Sequence, residues 1–170
     1  MTSAIAPAKP EMPKRRFAVK PKRHTEAKPL PKLPVSLEQA LYLIRSTLLT
    51  LNDANQSGNY TVLHDLAAPA FQAKNTPADL ARIFSDLRGR HIDLYAAAVV
   101  APQLSAPPRI EGNGMLRLTG VFPTRPLQVK FDLLFQDADK QWRLFGISVA
   151  TPQAPPAVAQ PGRDKPQAKR

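Results

Sequence analysis

Proline and positive charge are concentrated at the two ends of this chain of 170 residues, and this distribution limits which part of it can fold. Residues 1–34 carry nine lysines and arginines against two acidic residues, and residues 151–170 carry four against one. The same two segments hold twelve of the nineteen prolines. Residues 35–150 carry eleven basic residues against ten acidic ones. We therefore predict one nearly neutral domain over 35–150, a basic proline-rich arm over 1–34 and a basic proline-rich tail over 151–170.

The arm and the tail are expected to be extended or disordered, because proline lacks a backbone donor and disfavours helix in the residue before it. Inside the arm, two apolar side chains interrupt a basic run, which is a composition that suits an acidic or phosphate-bearing surface. We call this set the arm anchor; it consists of Lys14, Arg15, Arg16, Phe17, Val19 and Lys20. Three alternatives stay open for it: a solvated spacer, a docking segment for an acidic protein partner, or a contact with nucleic acid or an anionic surface.

The composition excludes several kinds of site. The chain has no cysteine, which removes disulfides and thiolate chemistry, and its three histidines are too scattered to predict a metal site or a cofactor. No run of eighteen apolar residues predicts a transmembrane segment. The N-terminus lacks the apolar run of an export signal, so we expect a cytoplasmic protein as written, or a cell-envelope or periplasmic one if Met1 is not the native start.

Helical spacing dominates the first half of the central domain. Ser36 precedes an apolar stripe with the intervals of one helix face, made of Leu37, Leu41, Ile44, Leu48 and Leu51. We predict this first helix to about Asn55, a second over 61–68 that Pro69 ends, and a third that begins at Thr76-Pro77 and ends at Gly89.

The second half alternates with a period of two residues. It predicts four strands, at about 93–101, 115–122, 127–136 and 141–150, with a hairpin turn at 137–140 and a bend at Gly146. One sheet face is expected to be polar, through Arg117, Thr119, Lys130, Asp132 and Arg143, and either to pair its charges across strands or to form a dimer or partner surface. Leu134, Phe145, Ile147 and Val149 fall on that face or on the helix side, depending on the register at Gly146. The predicted fold is α+β: three N-terminal helices packed on one face of a curved, four-stranded antiparallel sheet.

Two segments resemble the nuclear-transport-factor-2-like superfamily, which includes SnoaL-like and ketosteroid-isomerase-like proteins. They are the turn Asn55-Gln56-Ser57-Gly58-Asn59-Tyr60 with Leu63 and Leu66, and the closing Asp137-x-Asp139-x-x-Trp142-Arg143-Leu144. The resemblance covers residues 36–150. It implies a cone-shaped sheet, a pocket between helices and sheet, and often a homodimer; it implies no particular substrate.

The isomerase mechanism of that superfamily needs an aspartate base and a tyrosine in the first helix. Alignment on the Gly58 turn places Leu51 at the tyrosine position and Lys74-Asn75 near the base. Neither position carries a residue that can do this chemistry, so the resemblance disfavours an isomerase of that kind. No catalytic residue is predicted.

Three polar side chains remain as candidates for a small-molecule pocket: Tyr60, His64 and Tyr95. His64 and Asp65 are sequence neighbours, and we expect them to diverge on a helix and not to pair. The sequence therefore leaves two hypotheses for the function. The first is a non-enzymatic binding or assembly module that docks to a partner through its sheet and its basic arms. The second is a small-molecule-binding or catalytic pocket protein of the SnoaL-like type, with non-specific nucleic-acid binding by the arms as a further alternative.

Overall fold

Helices occupy the first half and antiparallel strands the second half of the described chain, which comprises residues 33–155 of a computed structural model. The helices are α1 (Leu37–Ser57), α2 (Thr61–Asp65), α3 (Pro69–Gln72), α4 (Pro77–Ile83), α5 (Ser85–Gly89) and α6 (Ala96–Val99). The strands are β1 (Gln103–Leu104), β2 (Arg109–Ile110), β3 (Leu116–Phe122), β4 (Val129–Ala138) and β5 (Gln141–Ala150). The predicted α+β class is confirmed, whereas the arm anchor lies outside the described residues.

Helix α1 forms where the sequence predicts it. Ser36 caps its N-terminus by accepting a hydrogen bond from the amide of Gln39, and Gly58 ends it with a φ of 74°. Ile44, Leu48 and Leu51 are fully buried, so the apolar stripe faces the core over most of its length, whereas Leu37 at its start is 56% exposed. The predicted helix is therefore correct in type and in its start, and it ends at Ser57, two residues beyond the predicted end near Asn55.

The predicted second helix, over 61–68, is formed only as far as Asp65, as α2, and after a break at 66–68 a separate helix, α3, follows. Pro69 begins α3 at its first turn, a position that proline tolerates, and does not simply end the preceding helix. Between the two helices, the amide of Ala68 donates to the carbonyl of Leu144 at 2.8 Å. The chain therefore leaves helical geometry here to bond with the sheet. The predicted third helix is likewise divided, at Phe84, into α4 and α5.

The predicted strand at 93–101 is wrong, because this segment contains α6. Asp93 accepts from the amide of Tyr95 at 2.7 Å and so closes a turn immediately before Ala96. Three consecutive alanines then favour helix over strand. The first edge of the sheet is instead formed by the short strands β1 and β2, which both pair with β3 and bring the sheet to five strands.

The long strands form an antiparallel meander in the order β3, β4, β5. The buried members of β4 are Val129, Phe131, Leu133 and Phe135, as the alternation predicts, and the φ angles of Asp139 and Lys140 are positive in the two-residue turn to β5. Helices and sheet bury one hydrophobic cluster between them. The sheet is therefore two-sided, with its inner face against the helices.

The bend expected at Gly146 is a change of register. Leu134 lies opposite Gly146, and the next residue of β4 lies opposite Leu144, which leaves Phe145 as the extra residue of a bulge. Beyond the bulge, Ile147 lies opposite the buried Leu133. Val149 lies likewise opposite the buried Phe131. Ile147 and Val149 therefore share the inner face, while Leu134 belongs to the polar one.

Candidate functional site

Tyr60 is a core residue in the structure. Its side chain is 1% exposed and stacks on Phe84, with ring centroids 6.3 Å apart. Its hydroxyl donates to Oδ1 of Asn55 at 2.6 Å. Burial raises the pKa of Tyr60 despite the nearby guanidinium of Arg88, so the phenol stays protonated and keeps its hydrogen bond. The geometry gives Tyr60 a structural role.

His64 and Asp65 approach each other, against the expectation that they diverge. Nδ1 of His64 lies 2.7 Å from Oδ1 of Asp65. Helix α2 ends at Asp65 after only five residues, and this short terminal turn lets adjacent side chains meet. The carboxylate is exposed, so the pair resembles a surface contact and lies outside any enclosed pocket.

Tyr95 lies immediately before α6 and is 59% exposed. Tyr60, His64 and Tyr95 do not line the three main cavities within residues 33–155. No two of these residues therefore share one of those three cavities.

Sequence reasoning missed two buried amides on α1. Oδ1 of Asn52 accepts from the backbone amide of Leu94 at 2.8 Å, and Asn55 accepts from the Tyr60 hydroxyl. Both asparagines are 5% exposed. The signal was available, since Asn52 and Asn55 follow the apolar stripe at helical spacing, but their partners are set by tertiary structure. These amides hold the α1–α2 and α5–α6 connections against the core.

On the polar face of the sheet, an arginine and an aspartate form an ion pair across two strands. The guanidinium of Arg117 on β3 donates to both carboxylate oxygens of Asp132 on β4, through Nε at 3.0 Å and Nη2 at 2.5 Å. This contact, helped by Glu111, raises the pKa of Arg117. Cross-strand pairing, one of the two expectations for this face, therefore joins Arg117 and Asp132, whereas Lys130 and Arg143 form no ion pair within residues 33–155.

The best-formed candidate surface is a groove between α1, α2 and the β4–β5 hairpin, which we call the hairpin groove. Its volume is about 480 Å³. The α1 wall is one helix face, with Gln39, Tyr42, Ser46 and Thr50 at intervals of three and four residues. The Ser46 hydroxyl donates to the Leu43 carbonyl and the Thr50 hydroxyl to the Ser46 carbonyl, so the helix itself satisfies both.

Aromatic and aliphatic side chains dominate the remaining walls of the hairpin groove. Tyr42 is 70% exposed and Leu66 is 62% exposed at its mouth, and Trp142 and Phe135 line its hairpin side. Large exposed apolar groups that share one depression are typical of a surface that binds a partner. Tryptophan and tyrosine are the residues most often found to dominate such binding.

The charged residues that line the hairpin groove are both basic. Lys140 follows the turn residue Asp139, and Arg143 lies two residues into β5. Neither Lys140 nor Arg143 forms an ion pair within residues 33–155. The groove thus combines an apolar floor with a positive rim.

Other kinds of site are not evident in the described segment. Residues 33–155 contain no group of three or more histidine, aspartate or glutamate side chains placed to hold a metal ion. No helix within that range is both long and apolar enough to cross a membrane.

Comparisons with protein-family models, with curated proteins and with solved structures found no match for this chain.

Proposed function

We propose that this protein is a non-enzymatic binding module whose hairpin groove docks an acidic, amphipathic segment of a partner protein. The observation that carries the proposal is the joint presence of exposed Tyr42 and Leu66 with Lys140 and Arg143 around one groove whose lining includes no acidic residue. Apolar side chains of the partner would occupy the floor, and its carboxylates would meet the two cations at the rim.

The arrangement of the other candidates favours binding over catalysis. Tyr60 uses its hydroxyl inside the core, His64 meets an exposed carboxylate, and Tyr95 lies apart from the described cavities. A general base must reach the group it serves and a substrate in the same pose. The described residues offer no such set, which supports a role in recognition.

The arm anchor belongs to the same proposal. Its basic residues would attract an acidic partner before the two proteins touch. Such long-range electrostatic attraction raises the rate of association. The relevant side chains are those of Lys14–Lys20, outside the described residues. Replacing Arg15 and Arg16 by glutamate should slow association more than it changes dissociation, and this change should shrink at high salt.

We also propose that residues 36–150 are a distant member of the nuclear-transport-factor-2-like superfamily. The order of the elements supports this kinship, since helices precede an antiparallel meander whose last strand carries a bulge. The finer description of that fold, with three helices over a cone-shaped sheet, is part of the same proposal.

The docking proposal is tested by the binding of defined peptides to the full chain. The first is a labelled amphipathic peptide with acidic residues on its polar face; the second has the same apolar residues with lysines in place of the acids. Fluorescence anisotropy should show tighter binding of the acidic peptide. Two matched pairs of variants locate the site: Tyr42→Ala against Tyr95→Ala, and Lys140→Glu against Lys74→Glu.

Tyr42→Ala should weaken binding of the acidic peptide by about tenfold or more, as expected for a central aromatic contact. Lys140→Glu should weaken it by about fivefold, because it opposes the peptide carboxylates. Tyr95→Ala and Lys74→Glu alter exposed side chains away from the groove and should leave binding unchanged. Equal binding of both peptides, or equal losses in each matched pair, would remove the groove from the function.

A further inference from the structure

A cavity of about 310 Å³ lies beside the end of helix α1, and it shares no lining residue with the hairpin groove. Its lining includes Asn55 from α1, Leu87 and Arg88 from α5, and Ile92 and Asp93 from the segment that follows α5. The strands of residues 33–155 contribute nothing to it, so it differs from a pocket between helices and sheet. Ligand pockets usually measure about 300–1,000 Å³, and this one therefore suits a small molecule.

The turn at the end of α5 builds one wall of this cavity. His91 has a φ of 50°, in the left-handed region that residues other than glycine seldom adopt. The amide of Ile92 then donates back to the carbonyl of Leu87 at 3.0 Å. The chain thus reverses direction after α5, and residues from both sides of the turn line the same cavity.

Asn55 brings an unused hydrogen-bond donor to this cavity. The residue is 5% exposed, and its Oδ1 accepts from the hydroxyl of Tyr60, which does not line the cavity. Its Nδ2 has no hydrogen-bond partner within residues 33–155. Nearly all buried donors in proteins are paired, because a buried donor without an acceptor destabilises the fold. The Nδ2 group is therefore the part of this amide that a ligand oxygen in the cavity would bind.

Two opposite charges line the cavity without pairing. Arg88 and Asp93 form no ion pair, with each other or with another residue, within residues 33–155. The guanidinium of Arg88 lies near the Tyr60 hydroxyl, which also bonds to Asn55, so the guanidinium and the Asn55 amide are neighbours. One carboxylate oxygen of Asp93 accepts from the amide of Tyr95 at 2.7 Å, and the other makes no hydrogen bond within residues 33–155. A ligand that satisfies both charges must itself carry a negative and a positive group.

We propose that this cavity binds a small zwitterion, of the class of the free α-amino acids. The ligand carboxylate would accept from the guanidinium of Arg88 and from Nδ2 of Asn55, since arginine is suited to planar carboxylates. The ligand ammonium group would meet the carboxylate of Asp93. Leu87 is buried and Ile92 is half-buried, and they offer an apolar wall to an aliphatic side chain.

Charge argues against a simple inorganic anion as the ligand. The carboxylate of Asp93 would repel a dianion such as phosphate, whereas it would attract the ammonium group of an amino acid. The inference does not depend on the hairpin groove, because a small molecule would bind here whether or not a peptide binds there.

Calorimetric titration of the full chain with leucine tests the proposal. Two analogues of similar shape each lack one charge: 4-methylpentanoate has no amino group, and leucinamide has no carboxylate. Leucine should bind, leucinamide should bind at least about tenfold more weakly, and 4-methylpentanoate at least about threefold more weakly. This comparison uses the wild type alone, so it holds even where a variant fails to fold.

Two substitutions locate the site. Arg88→Gln should weaken leucine binding by about tenfold, and Asp93→Asn by about threefold, while the latter keeps an oxygen that can accept from the Tyr95 amide. The matched controls are Arg90→Gln and Asp53→Asn, which remove the same charges from exposed residues outside the cavity and should leave binding unchanged. Circular dichroism checks that each variant is folded.

Three results would overturn the proposal. The first is the absence of saturable leucine binding to the wild type. The second is binding of 4-methylpentanoate or of inorganic phosphate as tight as that of leucine. The third is a loss of leucine binding no greater in Arg88→Gln and Asp93→Asn than in their controls.

Discussion

Asn52 and Asn55 each use a side-chain amide to hold a neighbouring segment against α1. Asn52 accepts from the amide of Leu94, and Asn55 accepts from the hydroxyl of Tyr60. Both bonds are buried, where a polar group without a partner costs more than the bond itself contributes. Tyr60 is therefore fixed by a hydrogen bond and by its stacking on Phe84, which explains why a tyrosine occupies the core.

Tyr60→Phe should lower the free energy of unfolding by about 1–3 kcal/mol, because it leaves the buried Asn55 acceptor without its donor. Urea denaturation measures this loss. Tyr95→Phe removes the hydroxyl of an exposed tyrosine and is the matched control; it should change stability little. A loss no greater than that of the control would mean that the Tyr60 hydroxyl does not stabilise the core.

At the scale of elements, helix α4 begins with a reciprocal cap. The Thr76 hydroxyl accepts from the Asp79 amide, and the Asp79 carboxylate accepts from both the amide and the hydroxyl of Thr76. These hydrogen bonds, with a smaller effect of Arg82, lower the pKa of Asp79. The ionised carboxylate is the form that the folded helix prefers.

Acid should weaken this cap. The ionised form stabilises the fold above the ordinary pKa of 3.8, and the contribution is lost as pH falls through the lowered pKa of the folded state. The melting temperature of the wild type should therefore fall more steeply below pH 3.8 than that of Asp79→Asn. Asp53→Asn, on the exposed surface of α1, should follow the wild type. Parallel curves for wild type and Asp79→Asn would contradict the role of the charge.

Strand β3 approaches β1 closely at Gly120. A β-carbon built there would lie 2.5 Å from the carbonyl oxygen of Gln103 and 2.7 Å from the ring of Phe131. Gly120→Ala should cost about 1–3 kcal/mol of folding free energy, since backbone must move to admit it. Gly112→Ala, which meets no atom within 4 Å, is the control. Equal stability of the two variants in urea would show that β1 can shift to admit the methyl group without a loss of folding free energy.

The elements that could be predicted from sequence are those whose apolar residues have a regular spacing and are buried in the core as that spacing predicts. Helix α1 and strand β4 have long, regular stripes, and both lie where the spacing predicts them. The segment 93–101 has a continuous apolar run that resembles a strand, but the side chain of Asp93 closes a turn and Ala96–Val99 continues as helix. The second helix ends at Asp65, earlier than predicted, and the amide of Ala68 just beyond it donates to the carbonyl of Leu144, a residue far along the chain.

For the molecule as a whole, the hairpin groove shows why a candidate site is harder to predict from sequence than a helix or a strand. Trp142 and Arg143 stand out in the sequence as part of a hairpin motif. That motif does not indicate which helix packs beside them. Tyr42 lies off the predicted apolar stripe of α1. These residues meet only because the hairpin packs beside that face of the helix. Tyr60 was prominent in sequence for its chemistry, yet the fold uses it in the core.

The positive charge and the proposed binding groove lie in different parts of the chain. The excess of positive charge lies in the terminal segments, whereas the central domain is nearly neutral and contains the hairpin groove. We expect the arms to affect how fast a partner arrives and the groove to determine which partner stays. We therefore expect salt to affect the rate of association and groove substitutions to affect the rate of dissociation.

The single tryptophan of the chain, Trp142, lines the hairpin groove and reports its occupancy without a label. The most direct measurement is a titration of the full-length protein with a tryptophan-free acidic amphipathic peptide, followed by Trp142 emission. We expect a saturable change in emission that needs a higher peptide concentration in Lys140→Glu and is unchanged in Lys74→Glu. Emission that stays constant while the peptide binds would place the binding elsewhere and contradict the groove as the functional site.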